Sequence, residues 1–533
     1  MSRLGRADIG GTAGERNHIL LDGAAAGLIH CGVTSTWPAG GNQPPSLVEK
    51  FRAGSQQRLP LHPAEKKLLG LLIAHLCLLP WAIGTMYIWT QIASLVLAVA
   101  GFALALWPRA YTSRFTGGPE FKMTPWPKLL RFPLFWFGLV LLLYIAIQGL
   151  NPSWRYESTP THWWLRRVKH LAWLPSGMET PFARFNAWRA LIIYSSAWLV
   201  ACSVWVGLTR RLSVQYLLMG LAINGCVLAI IAAAQRFAGN GKILWFVTPP
   251  PNSMGFASFI YKNHAAAYLG LMAAVALALA YWYYDRGVRR LQKSNPAGLF
   301  AFMGLFVALM VIFSFSRAAA VLILVYLVAA GGALFLLRRQ QAPGTGSPVV
   351  AVTLLLVFAG FAYVALQSFE INEVMRRFDE FAEEGTKAPS VVDREMARSA
   401  GEDMLAANWL AGTGAGSFRF YFPEYVKKYP LIYDGGKSFW EHTHCDWLEI
   451  PIELGLGGVL LLLGGAGSVG LSLFRNYAWT SPLSVLILLG CAMTLAHAWV
   501  DFPFQCPAIL ITWTTLPVGV ARWLELENQT EGR

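Results

Sequence analysis

Runs of about 20 apolar residues recur along most of this chain, separated by polar connectors rich in Lys and Arg. That is the length a helix needs to cross the hydrocarbon part of a bilayer. The runs occupy residues 68–87, 88–107, 132–149, 189–208, 214–234 and 264–284, then 297–315, 318–337, 349–367, 447–474, 483–500 and 507–520. The pattern predicts an all-α polytopic membrane protein of twelve spans. The closely spaced pairs at 68–107 and 297–337 must then be tight hairpins, because lipid leaves no room for irregular backbone between them. No internal repeat is visible.

Three stretches stand outside this pattern. Residues 1–66 are polar and rich in Gly and Pro, with one weak apolar stretch at 19–29 broken by Asp22. The interruption excludes a signal peptide and predicts a largely disordered cytoplasmic tail. The connector at 150–188 is long and rich in Trp. The connector at 368–446 exceeds the length of a passive linker, and its pattern predicts order. Residues 393–410 form an amphipathic helix with Met396, Ala400, Met404 and Leu405 on one face, followed by a turn through Gly412, Gly414 and Gly416. The aromatic run Phe418, Phe420, Tyr421, Phe422 and Tyr425 suits a segment at the membrane interface.

Composition sharpens the picture. The 533 residues are 55% hydrophobic and 14% charged, with mean hydropathy +0.45, against about a quarter charged in soluble domains. A water-soluble fold is excluded. The net charge of +14 would suggest nucleic acid in a soluble protein, but here Lys and Arg sit in alternate connectors, as retention on the cytoplasmic side requires. Lys66 and Lys67 precede the first span. Arg109, Arg114, Lys122, Lys128 and Arg131, then Arg210 and Arg211, then Arg286, Arg289, Arg290 and Lys293 follow in every second connector, and Arg338, Arg339, Arg475 and Arg522 continue the series. Both termini are therefore predicted inside a bacterial inner membrane, with the connectors 150–188 and 368–446 facing the periplasm. Cys77, Cys202, Cys226 and Cys491 fall in apolar runs as small hydrophobes; Cys445 and Cys506 lie outside them and are read as unpaired thiols.

Candidate chemistry concentrates at residues 441–458, EHTHCDWLEIPIELGLGG, where a polar, histidine-bearing approach enters a long apolar helix. Here the chain resembles the O-antigen ligase family, which includes the related polymerases of lipid-linked glycans. In that family a catalytic His lies nine residues before the Glu of an E-L-G-hydrophobic-x-G stretch. His444 holds that position, with Glu453, Leu454, Gly455 and Gly458 completing the pattern. Ser316 and Arg317 at the start of the eighth span, Arg394 with Asn408 and the turn 412–416, Asn263 and His264 opening the sixth span, and His497 with Asp501 and the following Phe-Pro-Phe closing the eleventh also resemble the family. Residues 1–66 and 150–188 are not covered. The residue after the catalytic His is usually Asn in the family and is Cys445 here, so His442, two residues earlier, shares the candidacy.

The resemblance implies a glycosyltransferase that moves a glycan from a polyprenyl (undecaprenyl) pyrophosphate carrier to an acceptor hydroxyl, in O-antigen or exopolysaccharide polymerisation or ligation. Its acceptor would be a glycan, lipid or protein, and it would need no cofactor, nucleotide sugar or metal. The chemistry agrees with the residues. A doubly anionic leaving group needs cations, which Arg317 and Arg394 offer as guanidinium forks that stay charged. The acceptor hydroxyl needs a base, which imidazole offers near neutral pH. Lys262, Asn263 and His264 are further candidates for the donor phosphates, with Glu453, Asp501 and His497 in supporting places.

Each has a plainer explanation. Arg317 also reads as a snorkelling helix end, Arg394 as a solvated charge paired with Asp393 or displaced in its role by Arg398, and Lys262, Asn263 and His264 as an interfacial anchor. His442 and His444 together suggest metal, but no zinc-type spacing surrounds them. His75 and His497 read as packed or hydrogen-bonded. Trp163, Trp164, Trp173 and Trp188 read first as an aromatic belt and second as a sugar-stacking platform. Two other classes compete, a transporter of small anions or of lipid-linked glycan and a non-catalytic scaffold. Ion-coupled transporters hold ionisable residues at mid-membrane, whereas the runs at 88–107, 214–234, 318–337 and 349–367 contain no Asp, Glu, Lys or Arg.

Overall fold

The computed structural model describes residues 60–116, 120–239, 241–250, 254–291, 294–341, 389–433 and 440–531, all within the compact unit Pro60–Arg533. The predicted tail up to residue 59 and the predicted span 349–367 lie outside the described residues. The other eleven apolar runs each fold as a helix: α1 (Pro63–Trp81), α2 (Ile88–Leu106), α4 (Pro133–Leu150), α5 (Ala187–Gly207), α6 (Arg211–Ala238), α7 (Lys262–Arg289), α8 (Ala297–Phe313), α9 (Arg317–Gln341), α12 (Asp446–Arg475), α13 (Pro482–His497) and α14 (Pro507–Glu531). Shorter helices α3 (Pro125–Leu130), α10 (Pro389–Asn408) and α11 (Phe418–Val426) lie between them.

Among the described residues, seven helices have the length and apolarity to cross a membrane, and α8 and α13 are apolar but shorter. The chain is thus an α-helical, multi-pass membrane protein. Among the described residues, the β-strands lie in connectors. β1 (Arg109–Tyr111) pairs with β2 (Phe121–Met123), and β3 (Pro152–Ser158) lies between antiparallel β4 (Trp163–Arg167) and parallel β5 (Gly177–Glu179). The Trp-rich connector therefore folds as a small sheet: Trp154 and Tyr156 pack toward Tyr421 and Phe420 of α11, while Trp164 donates to Glu157 on the other face.

The centre of the bundle is α7. Protein covers 83% of its apolar stretch, against 17% for α4 and 28% for α9 and α12, so α4, α9 and α12 carry much of the lipid-facing surface. Lipid is as apolar as Leu, so helix association rests on close packing, which small residues permit. The run Ala265, Ala266 and Ala267 and the pair Ala273 and Ala274 keep α7 thin where α6, α8 and α13 meet it. Gly490 of α13 shows how closely: a Cβ there would stand 2.4 Å from the Ala274 Cβ. Gly490→Val is expected to destabilise the bundle by about 1–3 kcal/mol through overpacking, read as a lowered Tm of the purified protein in detergent; an unchanged Tm would refute this packing.

The first helix begins at Pro63, inside the stretch expected to be tail, because its first turn is anchored by a partner set distant in sequence. The Glu65 carboxylate is fully buried and accepts from Thr209 N (2.8 Å), Ser213 Oγ (2.6 Å) and Tyr111 OH (3.1 Å), with Arg109 at 4.0 Å. A buried carboxylate so satisfied fixes the end of α1 against α5 and α6. His75 is buried within α1 and bonds Ser94 Oγ of α2 at 2.8 Å, as a packed histidine should. All six cysteines among the described residues are free thiols, Cys445 and Cys506 included.

Candidate active site

The site starts from the way the chain enters α12. Glu449, one turn into the helix, reaches back over the approach: its Oε2 accepts from Thr443 N (2.8 Å) and its Oε1 meets His442 Nδ1 at 2.6 Å. A carboxylate in the first turn bonding a preceding amide is the logic of a capping box, which satisfies helix-end donors and suits the helix dipole. Thr443 Oγ1 accepts from Cys445 N (3.1 Å), and Cys445 is the N-cap residue without a side-chain cap bond. Between them His444 sits at φ +56, a left-handed conformation costing about 1–2 kcal/mol for a residue with a side chain. The strained turn directs the half-buried imidazole edge-on to the rings of Phe502, at 4.9 Å, and Trp440, at 6.1 Å.

Asp501, in the turn between α13 and α14, gathers the other elements. Its carboxylate is buried and accepts from Asn263 Nδ2, from Tyr261 OH at 3.3 Å and from its neighbour Phe502 N at 2.9 Å. Asn263 also donates to Tyr261 OH at 2.7 Å, and Arg394 of α10 donates to the same hydroxyl at 3.4 Å. His444 Nδ1 stands 3.8 Å from Asp501 Oδ1, beyond hydrogen-bond length but close enough for a charge to be felt. Burial would push the Asp501 carboxyl up, yet His444, His497 and Arg394 around it outweigh burial and hold it well below the usual carboxylate range. Burial and the adjacent Asp501 charge push the Tyr261 hydroxyl up, so it stays a donor.

Phe502 is the hub of the aromatic packing. Tyr261 stacks on it at 5.3 Å and His442 at 4.4 Å, while His264 meets it edge-on at 5.0 Å and bonds its carbonyl at 3.2 Å. Asp446, the first residue of α12, clips this turn in place: its N donates to Ala498 O (2.9 Å) and its Oδ2 accepts from Phe504 N (2.8 Å).

The segment 389–433 is joined to α12 by glycine. Helix α12 is broken at Gly455, with φ +61 and ψ −172, a region open essentially to Gly alone. The turn through Gly412, Gly414 and Gly416 docks on that break. Thr413 N and Gly414 N donate to Ile452 O (2.8 Å) and Glu453 O (2.9 Å), and Leu456 N donates to Trp409 O (2.9 Å). The Glu453 carboxylate accepts from Gly416 N (2.9 Å) and Phe418 N (3.0 Å), holding the N-terminus of α11. The aromatic run of α11 packs into the protein: Phe418 and Phe422 are buried with Ala397, Ala400 and Met404 of α10 and Leu448 and Ile452 of α12. Asn408 closes the α10–α11 pair by donating to Tyr425 OH (3.1 Å).

Of the residues singled out from the sequence, His442, His444, Arg394, Asn263, His264 and Asp501 come together around Phe502. Asn263 is turned to Asp501 and Tyr261, and His264 to Phe502, so both support the site from behind. Buried His497 accepts at its backbone carbonyl from Val500 N and Asp501 N, its ring Nε2 has no hydrogen-bond partner among the described residues, and it lines a small cavity with Ala266, Ala267, Ala319, Leu322 and Thr494. Arg317, half-buried, opens the helix whose next turns form that cavity wall, which puts it at the same end of the bundle. Glu453 serves the loop junction. Among the described residues, the Lys262 ammonium meets Met254 Sδ at 3.7 Å. Tyr261, Glu449, Asp446 and Phe502 were missed as partners, although each lies inside or beside a stretch singled out. Among the described residues no group of three or more His, Cys, Asp or Glu is arranged to hold a metal ion.

What the arrangement can do chemically is bounded by its parts. One imidazole lies beside a buried, ionised carboxylate, a second is paired with another carboxylate, and a guanidinium stands at the rim. That set can take a proton from a hydroxyl and hold an anion. Residues 302–463 match the family model described as O-antigen ligase. The match spans Arg317, Arg394, His442, His444 and Glu453 and stops short of His497 and Asp501. No curated protein matches the chain significantly.

Proposed function

We propose that this chain, an O-antigen ligase family protein over residues 302–463, transfers a glycan from a polyprenyl pyrophosphate carrier to an acceptor hydroxyl at the periplasmic face of a bacterial inner membrane. The supporting observation is convergence: His444, Arg394, Asn263 and Asp501 come from four separate segments and meet around Asp501 and Phe502. The alternation of Lys and Arg, which is independent of that geometry, assigns all four to the same side in a twelve-span topology with both termini inside.

In this scheme His444 takes the proton of the acceptor hydroxyl as its oxygen attacks the anomeric carbon. The bond from that carbon to the pyrophosphate oxygen breaks, and the electron pair leaves with the phosphate. A single displacement inverts the anomeric centre. Arg394 and Arg317 hold the negative charge as it develops, and the Asp501 charge, fixed by Asn263 and Tyr261 and 3.8 Å from the ring, stabilises the imidazolium. No step calls for a metal or a nucleotide sugar.

The test is transfer by purified protein in liposomes, using a defined polyprenyl pyrophosphate-linked donor with and without a chelator. The scheme requires product in both. Activity lost under chelation overturns the metal-free route, and a reporter at position 430 found on the cytoplasmic side overturns the sidedness. Arg394→Ala should lower kcat/KM by about ten- to a hundredfold, from loss of one charged contact worth about 1.5–3 kcal/mol. Unchanged kinetics at saturating and limiting donor would remove Arg394 from the site.

A further inference from the structure

Two histidines two residues apart each face a carboxylate, and the pairings differ. His442 Nδ1 is 2.6 Å from Glu449 Oε1, the length of a charge-assisted bond. Of the two Glu449 oxygens, Oε2 serves Thr443 N at 2.8 Å and Oε1 is left for the ring. Asp501, by contrast, is shared among Asn263, Tyr261 and Phe502 N, and His444 Nδ1 lies 3.8 Å away without a hydrogen bond among the described residues.

We propose that the two rings divide the work: Glu449 is a positioning residue that keeps His442 an imidazolium whose Nε2–H binds the leaving pyrophosphate, while His444, free of a hydrogen-bonded carboxylate among the described residues, acts as the base. This rests on the transfer reaction proposed above and deepens it. An imidazolium cannot accept the acceptor proton, so the ring with the dedicated carboxylate is the wrong base and the right anion ligand. The groups around His442 agree. Glu449 and Glu453 of α12 and Glu441 beside it are acidic, His264 of α7 is the opposing basic group, and Phe502 covers the ring face. Burial disfavours the charged ring, but the Glu449 carboxylate outweighs burial and raises its pKa above the ordinary value.

A purely structural role for the pair is separable by a pH profile. Glu449→Gln keeps an acceptor for Thr443 N and removes the charge. With the charge present, activity should fall on the acidic side as the base is protonated and on the alkaline side as His442 loses its proton. Glu449→Gln is expected to move the alkaline limb down by about 1–3 pH units and leave the acidic limb in place. An unmoved profile overturns the inference, and so does a moved acidic limb, which would make His442 the base. A second comparison avoids reliance on that variant folding. His442→Lys, which keeps a cation, should transfer about tenfold faster than His442→Gln; equal rates overturn the inference. Absence of transfer by the unaltered protein refutes the reaction itself, whereas transfer with an unmoved profile refutes only this division.

Discussion

His444→Ala is expected to lower the transfer rate by about 10²–10⁴-fold, the usual contribution of a positioned general base, while the protein stays folded in the membrane. The expectation follows from how little of the structure hangs on that ring. Among the described residues its contacts include edge-on packing to Trp440 and Phe502 and a 3.8 Å approach to Asp501, whereas the surrounding turn is secured by Glu449, Thr443 and Asp446. The left-handed backbone at His444 is a cost that folding tolerates only because neighbouring bonds impose it. Initial rates with saturating acceptor, at matched protein content and matched Tm, provide the measurement. Full activity in the variant would sink His444 as the base, and with it the scheme built on the Asp501 cluster.

Gly455→Val should be the most damaging single change to the fold, costing about 2–6 kcal/mol from backbone strain and overpacking together. A Cβ at Gly455 would meet Gly412 N at 2.5 Å, the Ala411 carbonyl carbon at 2.6 Å and Leu410 O at 2.7 Å. Those are backbone atoms, which cannot swing aside as a flexible side chain would. The hydrogen bonds from Thr413 N, Gly414 N and Leu456 N across the junction would be lost with them. The readout is a lowered Tm in detergent together with new protease cleavage within 389–433. A variant that melts and resists cleavage like the parent would show that the break in α12 does not hold the segment 389–433.

Much of this was legible in the sequence, because a lipid solvent leaves few solutions. Eleven apolar runs became eleven helices, and the amphipathic stretch read at 393–410 became α10. Edges moved where polar residues proved to be inside: α7 was read as 264–284 and runs Lys262–Arg289. Glu65 was invisible as a core residue because its partners Tyr111, Thr209 and Ser213 lie far along the chain. The sheet at 150–188 left a period-two trace, Trp154 and Tyr156 alternating with Arg155 and Glu157, which the abundance of Trp obscured. In the site, His444, Arg394, Asn263 and Asp501 were legible as candidate residue types, and the structure brings them together around Phe502. The pairing of Glu449 with His442 depends on rotamers and a strained turn, which no spacing reveals. Gly412 and Gly455 were each recognised, but their mutual contact was not, since nothing in either segment names the other.

The junction between the glycine turn and the broken helix has a consequence for the energetics of turnover. Arg394 lies on α10 and His444 on the entry to α12, and these elements share one buried cluster and one set of backbone bonds. The relative placement of this guanidinium and this imidazole is therefore settled when the protein folds, rather than when substrate arrives. In the proposed transfer, a long, flexible lipid-linked donor would surrender its own freedom to a pre-organised socket, with none of its binding energy diverted to ordering the enzyme.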